Sequence, residues 1–384
     1  MELENQNSCC FVAKIDEIKP ILGADKIELA VLKGWQSIVQ KDIHKVGDLV
    51  VLLSTHAVLP QAFAEKHGIV NYLRKGNRVK TVKLKGVYSE CILISNNYKG
   101  SLWISEDDFE EGYDAMEDFG IFKYEEPVKQ VQLSNGKKIK YKANPNFHVY
   151  YKFPNIKNVP GIFTEEDEVV ITRKIHGTNA RYGIVKKAKI TLWDKIKQFF
   201  KRDPWWEYEY IYGSHNVEKG SDSQGFYDTD VWKDIAEKYD IKNKLWTFVK
   251  SWYSSDYLKL GSGCIFYGEI YGPGIQKGYD YNEKEHQIKF FDVEIDGEYL
   301  NDNSFRCTVD LLLDLEFCVE ELYEGKWSKE VQDLYSKPVL IPNSKMYEEG
   351  IVIKTIDGNK RKRAKIVSQE YLIQQDKTDG TDFH

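Results

Sequence analysis

Lys174-Ile175-His176-Gly177-Thr178-Asn179 follows the apolar run Val169-Val170-Ile171 and precedes Ala180-Arg181-Tyr182-Gly183. The pattern predicts a strand that delivers a lysine into a turn of one flexible residue and two hydrogen-bonding ones. Folds hold a primary amine toward a ligand in this way, so Lys174 is a candidate nucleophile. The same residues also fit the ordinary polar end of a strand, with a solvated lysine. The sequence downstream decides between the two.

Tyr210-Ile211-Tyr212-Gly213-Ser214-His215-Asn216 reads as a strand ending in a polar turn. From Cys264 to Gly272 an apolar strand is interrupted by one carboxylate, Glu269, which is costly to bury without a partner. In Ile288-Lys289-Phe290-Phe291-Asp292-Val293 the two rings point to opposite sides of a strand. Two core phenylalanines are the plain reading. Glu348-Glu349-Gly350-Ile351-Val352-Ile353-Lys354 opens another strand. In Lys360-Arg361-Lys362-Arg363-Ala364-Lys365-Ile366-Val367 the i, i+2 spacing sends Arg363 and Lys365 to one face.

In this order the stretches resemble the motifs of covalent nucleotidyltransferases, the superfamily of ATP-dependent ligases and capping enzymes, over roughly residues 165 to 371. Lys-Ile-His-Gly-Thr-Asn, with His where DNA ligases and capping enzymes usually carry Asp, is similar to RNA ligases of the phage RNA ligase 2 and RNA-editing ligase type. That resemblance implies ATP and Mg²⁺ or Mn²⁺ as cofactors, and RNA as partner.

The resemblance makes Lys174 the residue that takes up AMP, and gives catalytic roles to Glu349, Lys365 and Arg363, with Glu349 beside the metal. It places Ile175, His176, Gly177, Asn179, His215, Glu269, Phe290 and Lys354 around the nucleotide, Glu269 on the ribose and Phe290 stacked on the purine. His215 stands where the family often has arginine. Arg363 stands where it usually has lysine, and arginine keeps the charge but cannot be deprotonated. Lysine must be neutral to attack, whereas its reference pKa is about 10.4; the resemblance implies that the metal, Lys365 and Arg363 lower it by like-charge repulsion. No G-x-x-x-x-G-K-[ST] phosphate loop is present.

Ahead of these motifs, Cys10 to Ile15, Ile27 to Leu32, Trp35 to Val39 and Leu49 to Leu53 read as short strands at the spacing of a small antiparallel barrel. The stretch resembles the N-terminal OB domain of one RNA ligase branch. The expected fold class is α+β: an OB-like β-barrel at 1–110, a linker at 111–150, and at 151–384 an adenylyltransferase (ATP-grasp-like nucleotidyltransferase) domain of antiparallel sheets with flanking helices. Arg74, Arg78, Lys80, Lys83 and Lys85 alternate with apolar residues, either as one face of a nucleic-acid groove or as a solvated strand face. Leu192 to Arg202 has apolar residues at helical spacing with lysines between, a helix that either covers the core or touches RNA.

The chain has 384 residues and a formal net charge of −6, which argues against a protein that coats nucleic acid non-specifically. Six cysteines show no zinc or disulfide spacing. No apolar run approaches the roughly 18 residues of a membrane span, and the acidic N-terminus lacks a signal-peptide pattern. The expectation is a soluble cytoplasmic or nuclear protein with no membrane partner and no obligate protein partner. Only 19 residues follow Lys365, too few for the C-terminal OB domain of DNA ligases and capping enzymes. The expected function is joining of a 3′-OH RNA end to a 5′-phosphate end through lysyl-AMP, in RNA repair or nick sealing. The alternatives are a GTP-dependent capping guanylyltransferase and an inactive RNA-binding module on the same fold.

Overall fold

The computed structural model describes residues 8–98, 101–102, 104–124, 144–201, 205–215, 218–220, 230–253, 261–356 and 361–377. In the N-terminal unit the strand Leu49–Ser54 is the middle of a three-stranded antiparallel sheet, flanked by Cys10–Lys14 and Cys91–Ile94. Its sequence is apolar on both faces, and both are covered: Val51 and Leu53 pack into one cluster, Val50 and Leu52 into another with Trp35. Glu17–Pro20, Ile27–Leu32 and Trp35–Gln40 form a second antiparallel sheet.

The barrel core also takes in Ala115, Phe119 and Ile121, and Phe122–Lys123 pairs with Ala57–Val58. The unit therefore runs to residue 124, past the expected end at 110. Asn144, Phe147 and Tyr150 already belong to the second unit, Phe147 and Tyr150 packing on its sheet and Asn144 bonding to Lys186 and Glu209. Residues 125–143, the middle of the expected linker, lie outside the described residues.

Two antiparallel sheets build the second unit. A four-stranded one has the order Glu321–Lys326, Glu168–Lys174, Gly350–Thr355, Arg363–Val367. A six-stranded one has the order Glu218–Gly220, Tyr208–Gly213, Thr178–Lys186, Gly263–Tyr271, Gln287–Ile295, Glu298–Tyr299. The lysine strand ends in the first sheet and Thr178 opens the second, so the Lys174–Gly177 turn is the hinge line between them. One face of the six-stranded sheet is buried under the helices Val231–Lys238, Ile241–Tyr253 and Asp302–Leu312, through Ile235, Leu245, Phe248, Phe305 and Val309. The other face looks toward the four-stranded sheet.

The helix Leu192–Lys201 is amphipathic as expected, but its orientation is the reverse of a core-covering helix. Trp193, Phe199 and Phe200 are exposed. The polar Asp194 is the buried member.

Candidate active site

Strand register brings Lys174 and Glu349 together. Lys174 pairs with Gly350, so the residue before Gly350 sits at the same sheet end, and Glu349 Oε1 lies 2.6 Å from Lys174 Nζ. Burial would raise the Glu349 carboxyl, yet Lys174, His176 and Lys365 hold it below the ordinary range. Glu269 is the third member. Asn179 pairs with Glu269 across the adjacent strands, and same-row partners share a face, here the one turned to Lys174. Burial pushes the Glu269 carboxyl up to about 8, against the pull of Lys174 and with the repulsion of Glu349.

The turn between the sheets needs its glycine. A Cβ at Gly177 would lie 2.2 Å from the Ile270 carbonyl oxygen. Its N–H donates to Glu269 Oε1 at 3.1 Å, and its carbonyl accepts from Gln276 Nε2 at 2.8 Å. Ile175 is half-buried beside it. The Asn179 side-chain oxygen, on the face shared with Glu269, is buried with no hydrogen-bond partner.

His176 does not face the cleft as a nucleotide contact would. Its ring is buried edge-on against Tyr279 and Tyr371, and Nδ1 stands 3.8 Å from Glu349 Oε2. Tyr371 and Gln375 of the C-terminal helix Gln369–Lys377 reach the same ring, and the Tyr281 hydroxyl oxygen accepts from the His176 N–H at 2.8 Å. His176 thus positions the turn and Glu349. These four partners, three tyrosines and a glutamine, leave no periodic signal because they lie about 100 to 200 positions away in sequence.

Phe290 also departs from expectation. It is fully buried on the helix-covered face, against Tyr182 and Phe266. The strand pairing shifts register between Tyr267 and Gly268, leaving Phe291 as the extra residue. A bulge puts two consecutive side chains on nearly one side, so Phe291 and Asp292 both turn to the cleft face. Phe291 is half-buried there beside Tyr150. Strict alternation reads the two rings correctly as opposed, but does not say which is which.

Arg363 is not turned to the mouth of the site. It donates to the Tyr150 hydroxyl at 2.9 Å, sits over the rings of Tyr151 and Tyr299, and pairs with the buried Asp292 at 3.2 Å. Arg361 binds the same carboxylate, and Lys354 donates to the Phe291 carbonyl at 2.6 Å. Burial would raise Asp292, but Lys354, Arg361 and Arg363 hold it below the ordinary range. Lys354 itself is pushed down to about 8 by burial. The two expected site residues Arg363 and Lys354 therefore join the sheets through Asp292, and Lys365 is left as the strand's cation beside Glu349. His215 is half-buried at the end of its strand, next to Ser214, whose carbonyl accepts from Arg181.

The barrel cations do not form one strand face. Arg74 and Arg78 face each other across one hairpin, Lys80 is half-buried beyond it, and Lys83 lies on a second hairpin with Lys85 at its turn. Lys83 and Tyr88 both bond Glu370 of the C-terminal helix at 2.5 Å. Arg74, Arg78 and Lys123 lie close enough to His56 to act on it together with Lys365; burial first, then these charges, lowers that ring to about 4. Three barrel cations and Lys365 thus act on one buried ring, His56. His56 and Lys123 gave no sequence signal, since only the docking of the two units brings the barrel near Lys365.

A strand-end amine, two carboxylates of opposite pKa displacement and the nearby cation Lys365 fit covalent transfer of an anionic group. The RNA ligase family model matches residues 167–367, and an OB-fold domain model matches residues 10–95. The chain belongs to the RNA ligase family. Among solved structures it is similar to the Naegleria gruberi RNA ligase. The form with pyrophosphate is 19% identical, with 96% of this chain and 99% of that chain covered and a TM-score of 0.69. A point mutant of that ligase with ATP and Mn is 19% identical, with the same coverage and a TM-score of 0.68. No curated protein matches.

Proposed function

We propose that the chain joins a 3′-OH RNA end to a 5′-phosphate RNA end through a lysyl-AMP intermediate, in RNA repair or nick sealing. The observation that carries this is the Lys174 amine at a strand end, 2.6 Å from Glu349 and turned toward a cleft with Glu269 and the orphaned Asn179 oxygen. The ATP, AMP and Mn of the Naegleria ligase complexes support the choice of nucleotide and ion.

In the first step the Lys174 ammonium, held in place by the Glu349 carboxylate, loses its proton to solvent, and Nζ bonds the α-phosphorus as the bond to pyrophosphate breaks. An RNA 5′-phosphate oxygen then takes the AMP, the phosphorus–nitrogen bond breaks and the amine is regained. Last, a 3′-hydroxyl attacks the activated 5′-phosphate and AMP leaves. Lys365 meets charge developing on the phosphates. Phe291 offers the ring for the base, and the Asn179 oxygen and Glu269 offer acceptors for ribose hydroxyls.

No group of three or more metal-ligating side chains converges among the described residues. Mg²⁺ and Mn²⁺ are instead commonly held by one or two carboxylates together with substrate phosphates, a donor set that Glu349 fits. Such an ion, when bound, neutralises phosphate charge.

The test uses a nicked RNA duplex with a 3′-OH and a 5′-phosphate, with ATP or GTP and a divalent ion. Joining with ATP is expected. Covalent label from GTP without joining would make the protein a capping-type enzyme, and neither label nor joining would leave only RNA binding.

A further inference from the structure

The helix Leu192–Lys201 lies in the excursion between the paired strands Thr178–Lys186 and Tyr208–Gly213. At the helical period, Leu192, Trp193, Ile196, Phe199 and Phe200 fall within an arc of about 120°. Their exposures are 80%, 71%, 40%, 79% and 76%. Asp194, on the opposite side, is 7% exposed and fixed from three directions: by Lys187 Nζ at 2.6 Å, and by the Thr191 N–H and hydroxyl at 2.9 and 2.8 Å. Lys187 also donates to the Trp206 carbonyl, tying the helix to the chain that leaves it. The fold thus holds this helix by its polar side and presents its apolar side to solvent.

We propose that this face docks on an anionic lipid bilayer surface, holding the protein peripherally at a membrane. The exposed Lys195 and Lys197 border the apolar arc on its two sides, an arrangement that seats rings and aliphatic chains among acyl chains while the ammonium groups meet lipid phosphates. Trp and Phe are the residues favoured at that depth. The charge pattern disfavours a second copy, since two such faces laid together would bring lysine borders against lysine borders. It also disfavours single-stranded RNA, because Leu192 and Ile196 interrupt the rings that would stack on bases. Docking here leaves the cleft open: the active-site turn adjoins Thr178, and the helix departs from the other end of that strand, eight residues or about 26 Å away. This surface contact departs from the sequence expectation of no membrane partner.

The full chain is mixed with vesicles of phosphatidylcholine alone or with about one third phosphatidylserine, pelleted, and the bound fraction measured at low and raised salt. Wild-type protein should pellet with the anionic vesicles, less so at raised salt. Joint Phe199→Ser and Phe200→Ser substitution should lower the apparent partition by roughly tenfold or more. Joint Lys195→Glu and Lys197→Glu substitution should abolish the preference for phosphatidylserine. Melting temperature should be unchanged in both variants, because the altered side chains are solvent-exposed. Wild-type protein that stays in the supernatant overturns the proposal, as does binding that neither variant alters. If the serine variant instead turns a dimer into a monomer, or loses RNA binding, the face belongs to a second copy or to nucleic acid and the proposal fails.

Discussion

Lys174 and Glu349 meet at 2.6 Å because they end neighbouring strands of one sheet. The same register places His176 behind Glu349 and the Gly177 N–H on Glu269. Three ionisable groups of the site are thus fixed by backbone pairing rather than by flexible loops, which is how geometry survives the exchange of one bound group for another.

The two phenylalanines separate binding from stability. Phe291→Ala should weaken ATP use with a modest change in melting temperature, since loss of a stacked ring costs on the order of 1 to 3 kcal/mol of base binding. Phe290→Ala should cost roughly 3 to 5 kcal/mol of stability, because it empties a site between Tyr182 and Phe266. Apparent ATP affinity and unfolding of both variants decide it; the opposite pattern would restore Phe290 as the ring on the base.

Glu269 gives the protein a pH dependence of known sign. Its folded carboxyl titrates at about 8, above the ordinary carboxylate range, so the folded chain keeps a proton that the unfolded chain releases. Stability from this group is therefore full in acid and is lost as pH rises through about 8. Between about pH 5 and pH 8.5 the wild-type melting temperature should fall relative to that of Glu269→Gln. A constant difference across that range would show that the carboxyl is already ionised in the fold.

Arg78 tests what the barrel does for the first chemical step. Its guanidinium lies over the Tyr124 ring at 4.2 Å, donates to the Thr55 carbonyl at 3.0 Å, and acts on His56 together with Lys365. Arg78→Ala should slow covalent AMP uptake by about tenfold even without RNA if this guanidinium supplies one charge-assisted bond to the nucleotide phosphates. Unchanged uptake with slowed joining would assign Arg78 to the RNA alone.

Much of the site was legible because its chemistry sits on strands. Lys174, Glu269, Glu349 and Lys365 each stand in an apolar run with a readable period, and the structure brings all four to one place. Arg363 and Lys354 lie deeper than their period shows, because period 2 gives the face but not the depth: Asp292 and Tyr150 hold Arg363, and the Phe291 carbonyl holds Lys354. Alternation opposes Phe290 and Phe291 without saying which ring meets the helices, and the bulge that sets Phe291 beside Asp292 leaves no mark in composition. The helix at Leu192–Lys201 had a clear pattern and the opposite orientation, since amphipathicity alone does not say which side the rest of the chain will hold.

The central claim is that Lys174 is the nucleophile. Full-length protein and Lys174→Ala are incubated with α-labelled ATP and Mg²⁺ or Mn²⁺, then denatured and separated by electrophoresis. The lysine is half-buried at a strand end, so the variant should still fold, with a lowered melting temperature because Glu349 loses its ion-pair partner. Label should stay on the wild-type chain, survive denaturation and be absent from the variant. Label retained by Lys174→Ala at the wild-type level would contradict the account.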